Sequence, residues 1–197
     1  MQTQVDTMGD RTVVDVLDLS GGSFVVQSPL VGTRYAIRTA AGETLLEAKR
    51  LFFDEGLTYV YSDAAGERRV RSEDATEEGL DRFRFVAKES GQGLATLERS
   101  DEGSWYRWRL ETAEGSEVLI EGESGSIPIL DPQKGRHIAI RTPDGDPVGS
   151  ADRRLLSLRF TFDVEIDGVG QDLKAGVLLA IPLLYDAMQK GHSTWER

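Results

Sequence analysis

The stretch Asp172-Leu-Lys-Ala-Gly-Val-Leu-Leu-Ala-Ile-Pro-Leu-Leu-Tyr-Asp-Ala-Met188 restricts the fold more than any other, because from Ala175 to Tyr185 it carries no charge. It is too short to span a bilayer, which takes about 20 predominantly apolar residues. Its residue types favour helix, and Asp172 is expected to cap the N-terminus through the first-turn amides. A surface helix shows one apolar stripe and one polar face, whereas this one is apolar around its whole circumference and must be enclosed by protein. Pro182 cannot donate to the carbonyl of Leu178, so a bend is expected there.

The enclosing structure is foreshadowed just upstream. Leu156, Leu158, Phe160, Phe162, Val164 and Ile166 are apolar, and Ser157, Arg159, Thr161, Asp163 and Glu165 between them are polar. That period of two predicts a strand over Leu156–Ile166 with one wet face. Earlier in the chain one unit recurs: an aromatic or β-branched run, a polar turn ending in glycine, and a return run. Tyr35 to Gly42 leads to Leu45-Leu46, Tyr59 to Gly66 leads to Val70, and Phe83 to Gly91 leads to Leu94–Leu97. Tyr106 to Gly115 then leads to Val118–Ile120, and Arg136 to Gly145 leads to Val148. Each is a hairpin signal, and the early turn glycines recur about every 24 residues. Five hairpins, the Leu156–Ile166 strand and a pair built from Val13–Leu19 and Ser23–Ser28 give roughly a dozen strands, too many for a flat sheet. The reading is a mainly β fold, a closed antiparallel barrel of about twelve strands whose interior is filled by the apolar helix over 172–189. One domain over 11–190 is expected, with a disordered segment over 1–10 and a tail over 191–197.

The order from Gln27-Ser-Pro-Leu through Tyr35-Ala-Ile-Arg, Gly42-Glu43 and Ala48-Lys49 to the closing Asp172-Leu-Lys-Ala run and Asp186 resembles phospholipid scramblase-like and LURP-one-related proteins. The resemblance covers about residues 17 to 190 and implies the tubby C-terminal-like fold, a closed antiparallel barrel of about twelve strands around one hydrophobic helix. It implies a non-enzymatic, phospholipid-associated protein that meets anionic headgroups peripherally at a membrane surface. Two departures stand out. Eukaryotic scramblases carry an Asp-x-Asp opening and then Phe-Pro-x-Asp before the helix, where this chain has Asp163-Val-Glu-Ile-Asp167. It also lacks their cysteine cluster, having no cysteine at all.

Few residues carry other chemistry. Absent cysteine excludes disulfides and thiolate metal sites, and no cofactor is expected. Gly168-Val-Gly-Gln-Asp-Leu173 lacks the third glycine of a dinucleotide loop and too little chain follows for a βαβ unit, so it reads as a turn. Asp163, Glu165 and Asp167 share one strand face and form a weak candidate for a hard cation, against the simpler reading of a solvated acidic face. Asp144-Gly-Asp146 reads as a tight turn. His137 and His192 have no partner at ligand spacing, and Gly122-Glu-Ser-Gly-Ser126 departs from a nucleophile elbow, so no enzyme is expected.

The basic strand faces are more informative. If Phe83, Phe85, Tyr106, Trp108 and Leu110 line the interior, then Arg82, Arg84, Trp105, Arg107 and Arg109 face outward. Arginine forks fit phosphate oxygens bidentately and tryptophan favours the membrane interface, which makes these five the lipid-phosphate candidate. The alternative is that the arginines pair with neighbouring acids on a soluble protein-interaction scaffold with no lipid role. A third class, an enzyme whose site assembles only in space, leaves no pattern in a sequence.

The net charge of −11, with 18 of the 23 basic residues arginine, is spread along the chain. Nucleic acid is therefore not expected as a partner, since binding it depends on neutralising phosphates. No secretory signal pattern opens the chain, so a cytoplasmic location with peripheral membrane contact is expected. Dispersed acid with arginine preferred over lysine also resembles proteins from a halophilic, high-salt cytoplasm. Self-repulsion should then weaken as salt shortens the Debye length from about 10 Å at 0.1 M to about 3 Å at 1 M. The melting temperature should rise with potassium chloride, and a flat response over that range would remove the halophilic reading.

Overall fold

A computed structural model describes residues 19, 21–28, 34–51, 57–76, 81–100, 107–122, 137–154 and 159–193, with side chains to residue 187. Twelve strands alternate along the chain: β1 Ser23–Gln27, β2 Arg34–Thr39, β3 Thr44–Leu51, β4 Thr58–Asp63, β5 Arg68–Asp74 and β6 Arg82–Ala87, then β7 Gly93–Arg99, β8 Arg107–Thr112, β9 Glu117–Gly122, β10 His137–Arg141, β11 Pro147–Arg153 and β12 Thr161–Ile166. They are followed by one helix, α1, over Gln171–Ser193. Each strand pairs antiparallel with its neighbours in sequence, and β1 pairs with β12 to close the ring. Closure removes the unpaired edges that an open sheet of this size would expose.

All five sequence-predicted hairpins form. In four of them one piece of local chemistry repeats, which explains the period seen in the sequence. The amides of Gly42, Gly66, Gly115 and Gly145 each donate to the carbonyl three residues back at 2.9 Å. The side chain of that earlier residue, Thr39, Asp63, Thr112 or Thr142, accepts from the amide one past the glycine at 3.2, 2.9, 3.2 and 3.1 Å respectively. The glycines sit at φ between 81° and 94°, a left-handed conformation that side chains disfavour. The β6–β7 turn is one residue longer and closes from Ala87 to Gln92.

Burial alternates along most of the strands, and the residues they turn inward enclose α1. From Leu173 to Leu184 the buried positions of the helix cover its full circumference, as its lack of a polar face requires. Gly176 lets the helix approach the wall: a Cβ there would lie 3.0 Å from the Leu110 side chain. The helix runs through Pro182 as one element, and the buried Tyr61 hydroxyl donates to the carbonyl of Leu179 at 2.6 Å, in the turn that the proline deprives of an amide donor. No helix is long and apolar enough to cross a membrane among the described residues.

Three expectations need correction. Asp172 is not the cap; α1 begins at Gln171, which puts Asp172 inside the first turn, where its carboxylate still favours the positive end of the helix dipole. The last strand is shorter than Leu156–Ile166, starting at Thr161, and Leu156 and Leu158 lie outside the described residues. Phe160 lies just past the final rung Gln27↔Thr161, at the rim, where its ring is part exposed, while Thr161 is buried rather than wet. The Val13–Leu19 segment lies outside the described residues except Leu19, which is buried in the core; the 1–10 segment lies outside them as well.

Because α1 fills the barrel with no polar face, an unpaired charge at its middle has nowhere to go. Leu179→Asp should lower the stability by several kcal/mol. Soluble expression with an unchanged melting temperature would contradict the enclosed position.

Candidate functional site

The hairpin turns all point to one end of the barrel, and α1 enters there, its first turn close to the β6–β7 and β8–β9 turns. The helix reaches the opposite end near Tyr185 and Asp186. At this exit end the inward faces of β2, β3 and β4 carry polar groups. Arg50 near the end of β3 lies opposite Tyr59 near the start of β4, and Tyr35 near the start of β2 lies opposite Ala48, two residues from Arg50. Their polar groups converge on the Asp186 carboxylate: the Tyr35 hydroxyl donates to Oδ1 at 2.8 Å, the Tyr59 hydroxyl to Oδ2 at 2.5 Å and Arg50 Nη1 to Oδ2 at 3.1 Å. The side chains of Arg50 and Asp186 are only 24 % and 17 % exposed. A carboxylate so enclosed requires these donors, since an unpaired buried charge costs several kcal/mol. Nearby, Arg99 and Asp81 form a second inward pair at 3.3 Å. Sequence reasoning did not single out this cluster, although the hairpin repeat placed Tyr35 and Tyr59 at equivalent positions and Asp186 closed the apolar run.

Arg82, Arg84, Arg107 and Arg109 are brought onto one outer face by β6, β7 and β8; Trp105 lies outside the described residues. The inward set is as expected at Phe83, Phe85, Trp108 and Leu110, all buried. Glutamates interleave with the arginines. Arg82 binds Glu98 Oε2 through Nε at 2.8 Å and Nη2 at 2.6 Å, Arg107 meets Glu121 at 3.0 Å, and Arg109 meets Glu117 at 2.5 Å. Arg84 is exposed, has no ion pair among the described residues, and borders an open depression of about 450 Å³ with Thr96 and Glu111.

Of the cation candidates, Asp163 is held by Arg154 through two contacts at 2.7 and 2.5 Å, Glu165 is exposed on the same face, and Asp167 lies beside Gly22. Among the described residues no three His, Asp or Glu side chains gather as a metal site. His137 Nδ1 lies 2.7 Å from Asp152, and Ser150 donates to the same carboxylate at 2.9 Å rather than to the imidazole, so a nucleophile–base contact is not made. At the entry end a cleft of about 70 Å³ separates α1 from β7 and β8, with Glu114 and Asp172 at its rim. The hydrogen bond to Asp172, then its charge, pushes the Glu114 carboxyl up.

No family model matches the chain, and no curated protein matches it. Among solved structures, a protein of Arabidopsis thaliana, AT5G01750, is similar with a TM-score of 0.56 over 87 % of this chain and 96 % of that one, at 14 % identity. That neighbour is a plant protein of the tubby-like, LURP-one type, and a likeness at this identity establishes the fold.

The exit-end cluster makes the barrel sensitive to alkali. Burial, then the Asp186 charge, raises the Tyr35 and Tyr59 hydroxyls far above their ordinary value, and burial does the same to Tyr61. Unfolded tyrosines ionise near pH 10 while these keep their protons, so above that pH the folded chain binds more protons than the unfolded one. Stability present below about pH 10 is then lost as pH rises, at up to about 1.4 kcal/mol per pH unit for each tyrosine. The melting temperature should fall steeply above pH 10 and less steeply in Tyr59→Phe. Equal slopes would show that other groups carry the alkaline loss.

Proposed function

We propose that the protein is a non-enzymatic, phospholipid-associated barrel of the scramblase-like and LURP-one-related kind, acting peripherally at a membrane surface by contact with anionic headgroups. The observation that carries this reading is the meeting of Arg82, Arg84, Arg107 and Arg109 on one outer face, with Arg84 unpaired among the described residues beside an open depression. In a chain of net charge −11 attraction to an anionic surface has to be local. Guanidinium forks provide it, since each basic residue near such a surface is worth about 1 kcal/mol. A cytoplasmic location goes with this reading.

A soluble protein-interaction scaffold is the second reading, and one observation favours it: Arg82, Arg107 and Arg109 already have glutamate partners at bonding distance. Exchanging such partners for phosphates gains little, because exposed pairs are worth at most about 1 kcal/mol in either arrangement.

Sedimentation with phosphatidylserine-containing and with purely phosphatidylcholine vesicles separates the two. Wild type should pellet with the anionic vesicles at moderate salt, and Arg84→Glu plus Arg107→Glu should weaken binding about tenfold or more, with folding verified by melting. Equal binding by the double variant would remove this face as the site. No binding by wild type would leave the scaffold reading in its place.

A further inference from the structure

Phe160 is the exposed large hydrophobic side chain among the described residues, at 40 % of its accessible surface. It is not loose. The Ser28 amide donates to its carbonyl at 2.8 Å, and its own amide donates to the Ser28 hydroxyl at 3.2 Å, which fixes its backbone to the end of β1. The ring lies 5.0 Å from the Tyr185 ring, which in turn meets Phe162 edge-on at 5.7 Å, so wall and helix both hold it from below. On its other side the Arg153 guanidinium sits 4.4 Å from the ring centre.

Arg153 is the inward-facing residue that follows Ala151 on β11, carried to the rim where the wall ends. It has no ion pair among the described residues, and the inward carboxylate of Asp186 already receives Arg50, Tyr35 and Tyr59. Arg154 and the exposed Arg159 flank the same rim, with Asp163 balancing Arg154. Arg153 therefore sets a positive charge against one rigid aromatic ring, at the end of the barrel from which α1 emerges.

We infer that this end of the barrel docks on an anionic bilayer surface, with Phe160 entering the interfacial layer and Arg153 meeting lipid phosphate beside it. The inference rests on the phospholipid reading and adds to it a second contact and an orientation: the barrel stands end-on, with the hairpin turns directed away from the membrane. The chemistry of the pair favours a bilayer over a protein partner: a part-exposed aromatic ring with a guanidinium stacked on it. A bilayer interface needs only an aromatic side chain at headgroup depth with cations alongside, because its apolar layer is continuous.

Sedimentation with vesicles of equimolar phosphatidylserine and phosphatidylcholine tests this on the full chain. Phe160→Ala should bind about fivefold more weakly at both low and high salt, because what it loses is apolar burial of a partly exposed ring. Phe160→Trp should bind at least as well as wild type. Arg153→Gln should also lose about fivefold, but at low salt only, because what it loses is a screened charge. If Phe160→Ala and Arg153→Gln, folded as judged by melting, both bind like wild type while Arg84→Glu plus Arg107→Glu does not, the end-on contact is wrong and the lipid reading stands. If Phe160→Ala fails to fold, weaker binding by a folded Phe160→Trp, or an Arg153→Gln loss that does not depend on salt, overturns it. If wild type binds no anionic vesicle, the inference and the lipid reading fall together.

Discussion

Enclosure of a helix that has no polar face is the condition on which the rest of the molecule depends. In water such a helix would expose apolar side chains on every side at about 25 cal/mol for each Å². Two layers cannot cover it, since a sheet or helix packed on one flank leaves the other wet. A closed wall covers the full circumference, and it also satisfies its own backbone, since every strand has two hydrogen-bonded neighbours. The dependence runs both ways. A twelve-strand ring has an interior wider than its own side chains fill, and without α1 that space would be a cavity.

Apolar contact does not say where along its axis, or at what rotation, a smooth helix should rest. Hydrophobic burial is non-directional, so sliding or turning an all-round apolar helix changes little of it. Polar contacts at discrete points supply the missing information. Near the entry end Lys174 Nζ lies 3.4 Å from the Gly21 carbonyl, at mid-length the Tyr61 hydroxyl meets the Leu179 carbonyl, and near the exit Asp186 gathers Tyr35, Tyr59 and Arg50. A shift of one residue would strand a carboxylate and two hydroxyls in a low-dielectric interior. The cost of leaving them unpaired, more than the gain from pairing them, holds the helix in register.

What the amino-acid sequence made legible was whatever is local. The hairpins announced themselves because Thr39, Asp63, Thr112 and Thr142 and their glycines close turns within five residues, and the helix because its lack of charge is contiguous. The Asp186 cluster was hidden because its members come from β2, β3, β4 and α1, and only barrel closure brings positions 35, 50, 59 and 186 together. The ion pairs of the arginine face were hidden for a related reason. Alternation told which way Arg82 and Arg109 point, but the pairing of Arg82 with Glu98 depends on cross-strand register, which a hairpin of uncertain loop length leaves open. Phe160 misled because alternation tells the side of the wall and not the height along it: its ring keeps to the inward set beside Tyr185, yet at the rim it stays part exposed.

The place of Phe160 at the rim bears on where a barrel of this kind can carry function. At the turn end, four short loops spend their side-chain acceptors on their own amides, so the polar groups there are largely satisfied within each hairpin. Along the outer wall, cross-strand pairs such as Arg82–Glu98 and Arg107–Glu121 neutralise one another. The exit end differs because there the helix emerges beside the rim. There Arg153 projects over Phe160 with no carboxylate partner among the described residues, and a large apolar ring faces solvent. Arg153 and Phe160 offset one another in part by stacking, and the proposed bilayer contact is the one that would cover the face of the ring that this stack leaves wet.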